Sequence, residues 1–232
     1  MKKIASIFMG LFLVMTLSAC QEQTTETRSS GSTNTNSSNQ SGSAAEGTQE
    51  LGKTLVVYFS VPETQDPNNM TQEEENSVVV IDGKVLGNTE YVATVIQQET
   101  NADLFRIEPK TPYPTDHEDL VDLAKEELDD NARPALAEQV SNIEEYDTIF
   151  LGYPNWWGDL PMILYTFLET TDLSGKQVIP FNTHGGSGFS STIQTIKEQS
   201  PDANVEENGL TISRDDVQDS ENQIKDWVAS FQ

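Results

Sequence analysis

Short apolar segments alternate with helical patterns from about residue 54 to the end of this 232-residue chain. Five of these segments have the length and apolar character of strands, at residues 54–60, 103–108, 148–153, 177–183 and 210–212. The alternation predicts an α/β fold with a parallel sheet between two layers of helices. In such open sheets, ligands bind at the carboxyl ends of the strands. The loops that follow the first, third and fourth segments are therefore the first places to look for a site.

Helix signals occur between the predicted strands. Asn88 or Thr89 is a natural N-cap for a helix with Tyr91 and Val95 on one face. Asp116 can cap the next helix, and another is expected to begin near Pro161. These signals support the same α/β alternation.

The first 50 residues do not have the pattern of a globular domain. Residues 1–20 contain a short positive segment, an apolar run and small residues before Cys20, which resembles a bacterial lipobox. The resemblance implies cleavage before Cys20, lipidation of its sulfur and anchoring to the outer face of the cytoplasmic membrane. A signal peptide with an incidental cysteine is the alternative. Residues 21–50 are polar and predict a disordered tether, so the folded domain is expected at 51–232.

The composition excludes several classes of function. The net charge is −25, with 13 Lys+Arg against 38 Asp+Glu, so nucleic acid and anionic lipid headgroups are poor partners. Cys20 is the only cysteine, which excludes disulfides within the chain and cysteine-ligated clusters. The two histidines are distant in sequence and do not indicate a metal site.

The loop after the third strand contains two adjacent tryptophans in the sequence GYPNWWGDLP, residues 152–161. Trp156 and Trp157 cannot both point into one core, so at least one is expected to face a cleft or a flat ligand. The alternative is that both fill the corner between strand and helix.

The loop after the first strand is unusually long. About 25 residues separate Ser60 from Gly87, and the pair Asp82-Gly83 between two apolar runs predicts a hairpin within residues 61–86. The loop after the fourth strand contains Thr183-His184-Gly185-Gly186, in which glycine allows backbone to approach a ligand closely.

Four segments, LVVYFS, GNTEYVA, YPNWWGDLP and PFNTHGGSG, resemble those of the flavodoxin-like FMN-binding family in the same order. The resemblance covers residues 53 to 232. It implies a five-stranded parallel sheet in the order 2-1-3-4-5 and FMN as the cofactor. The long insertion after Ser60 departs from the compact phosphate loop of flavodoxins. The hairpin is therefore expected to fold away and bring Asn88 back beside Ser60.

The resemblance and the loop chemistry together give a set of candidate residues. A helix N-terminus binds phosphate without a basic side chain, and an aromatic ring stacks on a flavin. The predicted cofactor-binding residues are Ser60, Val61, Pro62, Asn88, Thr89, Pro154, Asn155, Trp156, Trp157, Gly158, Thr183, His184, Gly185, Gly186 and Ser187. His184 is also the candidate catalytic residue, since similar quinone reductases place a histidine beside the flavin; a solvated loop histidine is the alternative. Tyr113 is expected to cover the sheet edge; the alternative, which the resemblance implies, is a tyrosine near the flavin.

The sequence thus predicts a lipid-anchored FMN flavoprotein that performs electron transfer or flavin-dependent reduction outside the cytoplasmic membrane. Its electron donor and acceptor are open: a nicotinamide, a quinone or a redox protein. An NAD(P)H-dependent quinone reductase is the first alternative. A non-redox surface binding module built on the same fold is the second.

Overall fold

The computed structural model describes residues 51–232, so the predicted signal peptide, the lipidated Cys20 and the tether lie outside the described residues. The strands are β1 (Thr54–Tyr58), β2 (Val78–Ile81), β3 (Lys84–Gly87), β4 (Asp103–Arg106), β5 (Thr148–Pro154), β6 (Gln177–His184), β7 (Asn204–Val205) and β8 (Leu210–Ser213). The α-helices are α1 (Gln72–Ser77), α2 (Asn88–Thr100), α3 (His117–Asp129), α4 (Met162–Thr170), α5 (Thr192–Gln199) and α6 (Glu221–Ala229).

The main sheet is parallel and runs in the order β4-β1-β5-β6, with β7 and β8 both pairing along the far side of β6. The α/β fold class is confirmed. The prediction of five strands in the order 2-1-3-4-5 is wrong at one edge, because the last strand consists of two short ones.

Pro180 accounts for this break. β7 pairs with Gln177 and Val178, β8 pairs with residues 181–184, and Ile179 and Pro180 have no partners on that side. Proline has no N–H to donate to a ladder. The backbone at Gly209, just before β8, lies close to Pro180, since a Cβ built at Gly209 would lie 2.5 Å from the Pro180 carbonyl oxygen.

Helices cover both faces of the sheet. Alternate residues of β1 point to opposite sides, so Val56 packs in the cluster with α2 and α6, while Leu55 and Val57 pack in the cluster with α3, α4 and α5. All five residues of β1 are buried, as expected for a central parallel strand. Within residues 51–232, none of the helices is long and apolar enough to cross a membrane.

The segment between β1 and α2, residues 59–87, is the insertion. It contains α1 and the antiparallel β2–β3 hairpin, whose turn residues Asp82 and Gly83 have φ of 49° and 76°. α1 was not expected from the sequence. It begins at a capping box in which the Thr71 hydroxyl accepts from the Glu74 amide and the Glu74 carboxylate accepts from the Thr71 amide, at 3.2 and 2.6 Å.

Candidate functional site

A cleft of about 300 Å³ opens where β1, β5, β6 and β8 end, at the lower limit of the roughly 300–1,000 Å³ usual for small-molecule sites. The loops after these strands, the insertion and α3 all contribute to its walls. It is lined by Ser60, Val61, Glu63, Asn76, Ser77, Asn88, Thr89, His117, Leu120, Val121, Ala124, Pro154, Asn155, Trp156, Trp157, Thr183, His184, Gly185 and Arg214.

Most of the residues predicted from the sequence lie in this lining. Those brought together are Ser60, Val61, Asn88, Thr89, Pro154, Asn155, Trp156, Trp157, Thr183, His184 and Gly185. Pro62, Gly158, Gly186 and Ser187 lie outside it. Pro62 packs towards the start of α2, with its Cδ 3.5 Å from the position of a Cβ at Gly87.

One end of the cleft is the N-terminus of α2. The N-cap is Gly87 and not Asn88 or Thr89, and glycine has no side chain to accept from the first amides of the helix. The Glu90 carboxylate accepts from the Gly87 amide at 3.2 Å. Gly87 lies so close to Ser60 that an added Cβ would be 2.1 Å from the Ser60 hydroxyl oxygen. Glycine at this position therefore lets the end of β1 and the positive end of α2 come together.

Several buried polar atoms near the cleft have no partner among the described residues. Asn88 is 6% exposed; its Nδ2 donates to the Asn76 carbonyl at 2.8 Å, while its Oδ1 is unpaired. Asn155 Nδ2 donates to the Gly188 carbonyl at 2.9 Å, and its Oδ1 is likewise unpaired. Unpaired buried acceptors of this kind indicate a ligand or water that supplies donors.

The two tryptophans lie in a tight turn between Trp156 and Asp159, whose backbones bond in both directions at 3.0 and 3.1 Å. The central residues Trp157 and Gly158 both have positive φ, of 55° and 83°, as a type I′ turn requires. Positive φ is costly for a bulky residue. This backbone holds Trp157 out from the corner.

The environments of the tryptophans differ. Trp156 packs edge-on against Phe59 and Tyr113, with ring centroids 5.4 and 5.5 Å away. Trp157 is 54% exposed, and its Nε1 donates to the Val121 carbonyl at 3.3 Å. Trp156 thus fills the corner and Trp157 offers an open aromatic face. The buried Tyr113 lies outside the cleft lining and donates to Glu127 at 2.8 Å.

His184 is held in one protonation state by its own loop. The Gly186 amide donates to His184 Nδ1 at 2.8 Å, so Nδ1 is an acceptor and the ring is neutral. Burial lowers the pKa of His184, and Asp216 opposes that shift. The remaining proton is on Nε2, which can donate to a ligand.

Other cleft residues were not predicted from the sequence. Arg214 directly follows β8, and the rule that sites form at strand ends would have included it. Glu63 and His117 both line the cleft and form a pair, with Glu63 Oε2 3.0 Å from His117 Nδ1. Nothing in the sequence indicates that pair, because it joins the insertion to α3. Among residues 51–232 there is no group of three or more His, Cys, Asp or Glu placed to hold a metal ion.

The fold and the cleft define an α/β protein with a binding site at the carboxyl edge of a parallel sheet, and comparison with known families makes the class specific. The family model described as flavodoxin matches residues 77–231, which is more than half of the chain. The chain belongs to the flavodoxin family. No curated protein sequence matches it significantly.

Solved structures agree with this assignment. A candidate flavoprotein from Bacteroides eggerthii is 29% identical with a TM-score of 0.58, covering 77% of this chain and 97% of its own. One from Bacteroides uniformis is 28% identical with a TM-score of 0.56, covering 78% and 99%. A Lactobacillus acidophilus flavoprotein in complex with FMN shares the fold at 20% identity and a TM-score of 0.52, covering 72% and 97%.

Proposed function

We propose that this chain is an FMN flavoprotein that performs electron transfer or flavin-dependent reduction. One observation carries the proposal: a single cleft is lined both by the N-terminus of a helix whose N-cap is a glycine and by the exposed side chain of Trp157. FMN has a dianionic phosphate at one end and a flat ring at the other. Membership of the flavodoxin family and the FMN complex of the Lactobacillus structural neighbour support the same ligand.

The polar groups of the cleft fit this cofactor. The unpaired Oδ1 atoms of Asn88 and Asn155 are acceptors, and the hydroxyls of a ribityl chain are donors. The free amides at the start of α2 suit a phosphate, which has only acceptor oxygens when ionised. A ligand with both features satisfies groups that the chain leaves without partners.

Ser60, Asn88 and Thr89 would hold the phosphate end, and Trp157 would border the ring. Bound FMN would supply the redox chemistry, while the protein supplies binding, orientation and electrostatics. Thr89 is positioned for this by a hydrogen bond of 2.8 Å between its hydroxyl and that of Thr183.

His184 is the candidate for handling a proton in the cleft. Its neutral ring offers an Nε2–H donor, and the Gly186 amide fixes the ring through Nδ1. A fixed donor beside a ligand stabilises negative charge that develops on it. This arrangement supports the more specific hypothesis of an NAD(P)H-dependent quinone reductase, because reduction of a quinone adds protons as well as electrons.

The experiment is a titration of the full-length protein, purified in detergent, with FMN while tryptophan fluorescence and visible absorbance are followed. We expect saturable quenching, because Trp157 borders the site. Without quenching and without a change in flavin absorbance, a non-redox surface module is the better description. If FMN binds, mixing with NADH and NADPH distinguishes a reductase, whose flavin bleaches, from a module that accepts electrons only from another protein.

We also propose that the protein is anchored by lipid on Cys20 outside the cytoplasmic membrane. The apolar run and small residues before Cys20 support this location. Replacing Cys20 with Ser should release the protein from the membrane fraction into the medium. Retention of the Cys20→Ser protein on washed membranes would argue against lipidation.

A further inference from the structure

Arg214 is the one Lys or Arg among the described residues that line the cleft. It follows β8, and its amide donates to the His184 carbonyl at 2.8 Å, which fixes its backbone beside the glycine loop. Its guanidinium packs over Gly185, since a Cβ built there would lie 3.2 Å from Arg214 Nη1. The absence of a side chain at Gly185 therefore makes room for the cation at the cleft wall.

Residues of the insertion line the same grooves as Arg214 and also bond to the start of α2. Arg214 also lines the adjoining groove together with Val78, and Val78 pairs with Gly87, the residue before α2. Asn88, the first residue of α2, is bonded to Asn76, which lines the cleft with Arg214. The cation and the helix N-terminus thus line the same cleft and share neighbours in the insertion.

The guanidinium has few competing partners. Within 4.0 Å, its ion pair among the described residues is a loose one, with Asp215 Oδ1 3.9 Å from Nε. By contrast, Arg106 donates to the Ser60 carbonyl at 3.1 Å, and Arg133 donates to Glu169 at 2.7 Å. No hydrogen bond from the Arg214 side chain to residues 51–232 is formed. Its donors remain available to a ligand.

An independent feature of the same cleft also indicates a ligand. Asn88 is 6% exposed, and its unpaired Oδ1 needs a donor. A cation, free backbone amides and a buried acceptor together match a phosphate ester whose neighbouring carbon atoms carry hydroxyls. Arginine suits this task because its planar guanidinium binds phosphate oxygens in pairs.

We propose that Arg214 binds the phosphate of FMN together with the N-terminus of α2, and so determines the preference for FMN over riboflavin. This inference rests on the proposed function. The amides of a helix N-terminus can bind a phosphate without a basic side chain. The inference adds to them an arginine that follows the last strand. In a chain of net charge −25, one local cation offsets the repulsion that a dianion would meet.

The test compares FMN and riboflavin binding to the full-length apoprotein by tryptophan quenching. The variants are Arg214→Gln, Arg214→Lys and, as a control, Lys84→Gln, which removes the same charge at an exposed position outside the cleft. We expect Arg214→Gln to weaken FMN binding roughly ten- to hundredfold, the effect of losing a charge-assisted contact, and to leave riboflavin binding unchanged. Arg214→Lys should fall between, and Lys84→Gln should match the wild type.

The inference is overturned if Arg214→Gln binds FMN as tightly as the wild type. It is also overturned if FMN and riboflavin affinities fall by the same factor, since that loss would not involve the phosphate. Equal urea midpoints of the variants verify that each is folded, and Arg214→Lys provides the comparison that keeps the charge. If the wild type binds neither flavin, the proposed function fails as well; if it binds both and Arg214→Gln changes neither, only this inference fails.

Discussion

Trp156 and Trp157 are adjacent in sequence but have different surroundings. Trp156 is part of an aromatic group with Phe59 and Tyr113 under the corner of the sheet. Trp157 lies on the outside of the turn, where Lys125 Nζ is 5.9 Å from its ring centre. Both side chains line the cleft, but Trp156 also packs the corner, whereas Trp157 is the more exposed of the two.

Substitution of each tryptophan by alanine should separate stability from binding. Trp156→Ala should lower the free energy of unfolding by roughly 2–4 kcal/mol, somewhat less than truncation of a fully buried aromatic costs, because Trp156 is half-buried. Trp157→Ala should cost less than about 1 kcal/mol but weaken FMN binding roughly tenfold through lost stacking. Urea unfolding and flavin titration measure the two effects, and the reverse pattern would assign Trp156 to the ligand.

The neutral state of His184 makes stability depend on pH. Because the folded-state pKa of His184 lies below its usual 6.5, the unfolded chain takes up a proton first as the pH falls, and the folded state loses stability below about pH 6.5. His184→Asn keeps an acceptor for the Gly186 amide but cannot be protonated. We expect the wild type to lose more stability than His184→Asn between pH 7.5 and pH 5.5, measured by urea midpoints. Equal losses would show that the histidine has no such role.

At the scale of elements, the close contact between β1 and α2 depends on Gly87. Its backbone has φ −64°, which any residue adopts, so the requirement for glycine comes from space and not from conformation. The Ser60 hydroxyl occupies the place where a side chain would begin. This contact brings the α2 N-terminus to the cleft.

Gly87→Ala should therefore destabilise the fold by about 1–3 kcal/mol, as overpacking does. Removing the obstructing hydroxyl in the double variant Gly87→Ala, Ser60→Ala should recover part of that loss, since the next atom, Ser60 Cβ, is 3.2 Å away. A double-mutant cycle by urea unfolding measures the coupling, which we expect to be favourable by at least about 0.5 kcal/mol. Strictly additive effects would mean that the two residues do not meet.

The insertion is connected to α3 by the pair of Glu63 and His117. The Glu63 side chain is 7% exposed, and the Glu63 amide donates to the Ser77 hydroxyl at 3.0 Å. Glu63 therefore bonds both to another residue of the insertion and, through its carboxylate, to α3. Burial raises the pKa of Glu63, and the hydrogen bond to His117 opposes that shift.

Glu63→Ala should loosen residues 61–77 without unfolding the domain. Losing this pair is expected to cost about 1–2 kcal/mol, so amide hydrogen exchange in the segment should accelerate roughly 5- to 30-fold. Glu73→Ala removes the same charge from an exposed position of α1 and serves as the control. If both variants exchange alike, the pair does not hold the insertion against α3.

At the scale of the whole molecule, the sequence predicted what depends on local pattern. Buried strands such as β1 and β5 are continuous apolar runs, and the rule for parallel sheets then places their loops at one edge. The helix caps at Asp116 and Thr71 are also local features, because each is formed between residues three apart in sequence. The Asp116 cap was predicted and is present, whereas Thr71 begins a helix of only six residues, too short to have an apolar face.

Features that depend on distant partners were not predicted. The break between β7 and β8 is caused by Pro180 on the neighbouring strand. The environments of Trp156 and Trp157 depend on Phe59 and on the positive φ of the turn. Each is a tertiary effect that overrides local sequence preference.

The most direct test of the whole account is the visible spectrum of the full-length protein after titration with FMN. We predict stoichiometric binding of one FMN per chain, with a shifted flavin absorption band and quenched flavin fluorescence, and release of intact FMN on denaturation. A spectrum identical to that of free FMN at every ratio, with no quenching of tryptophan, would contradict the assignment of this cleft as a flavin site.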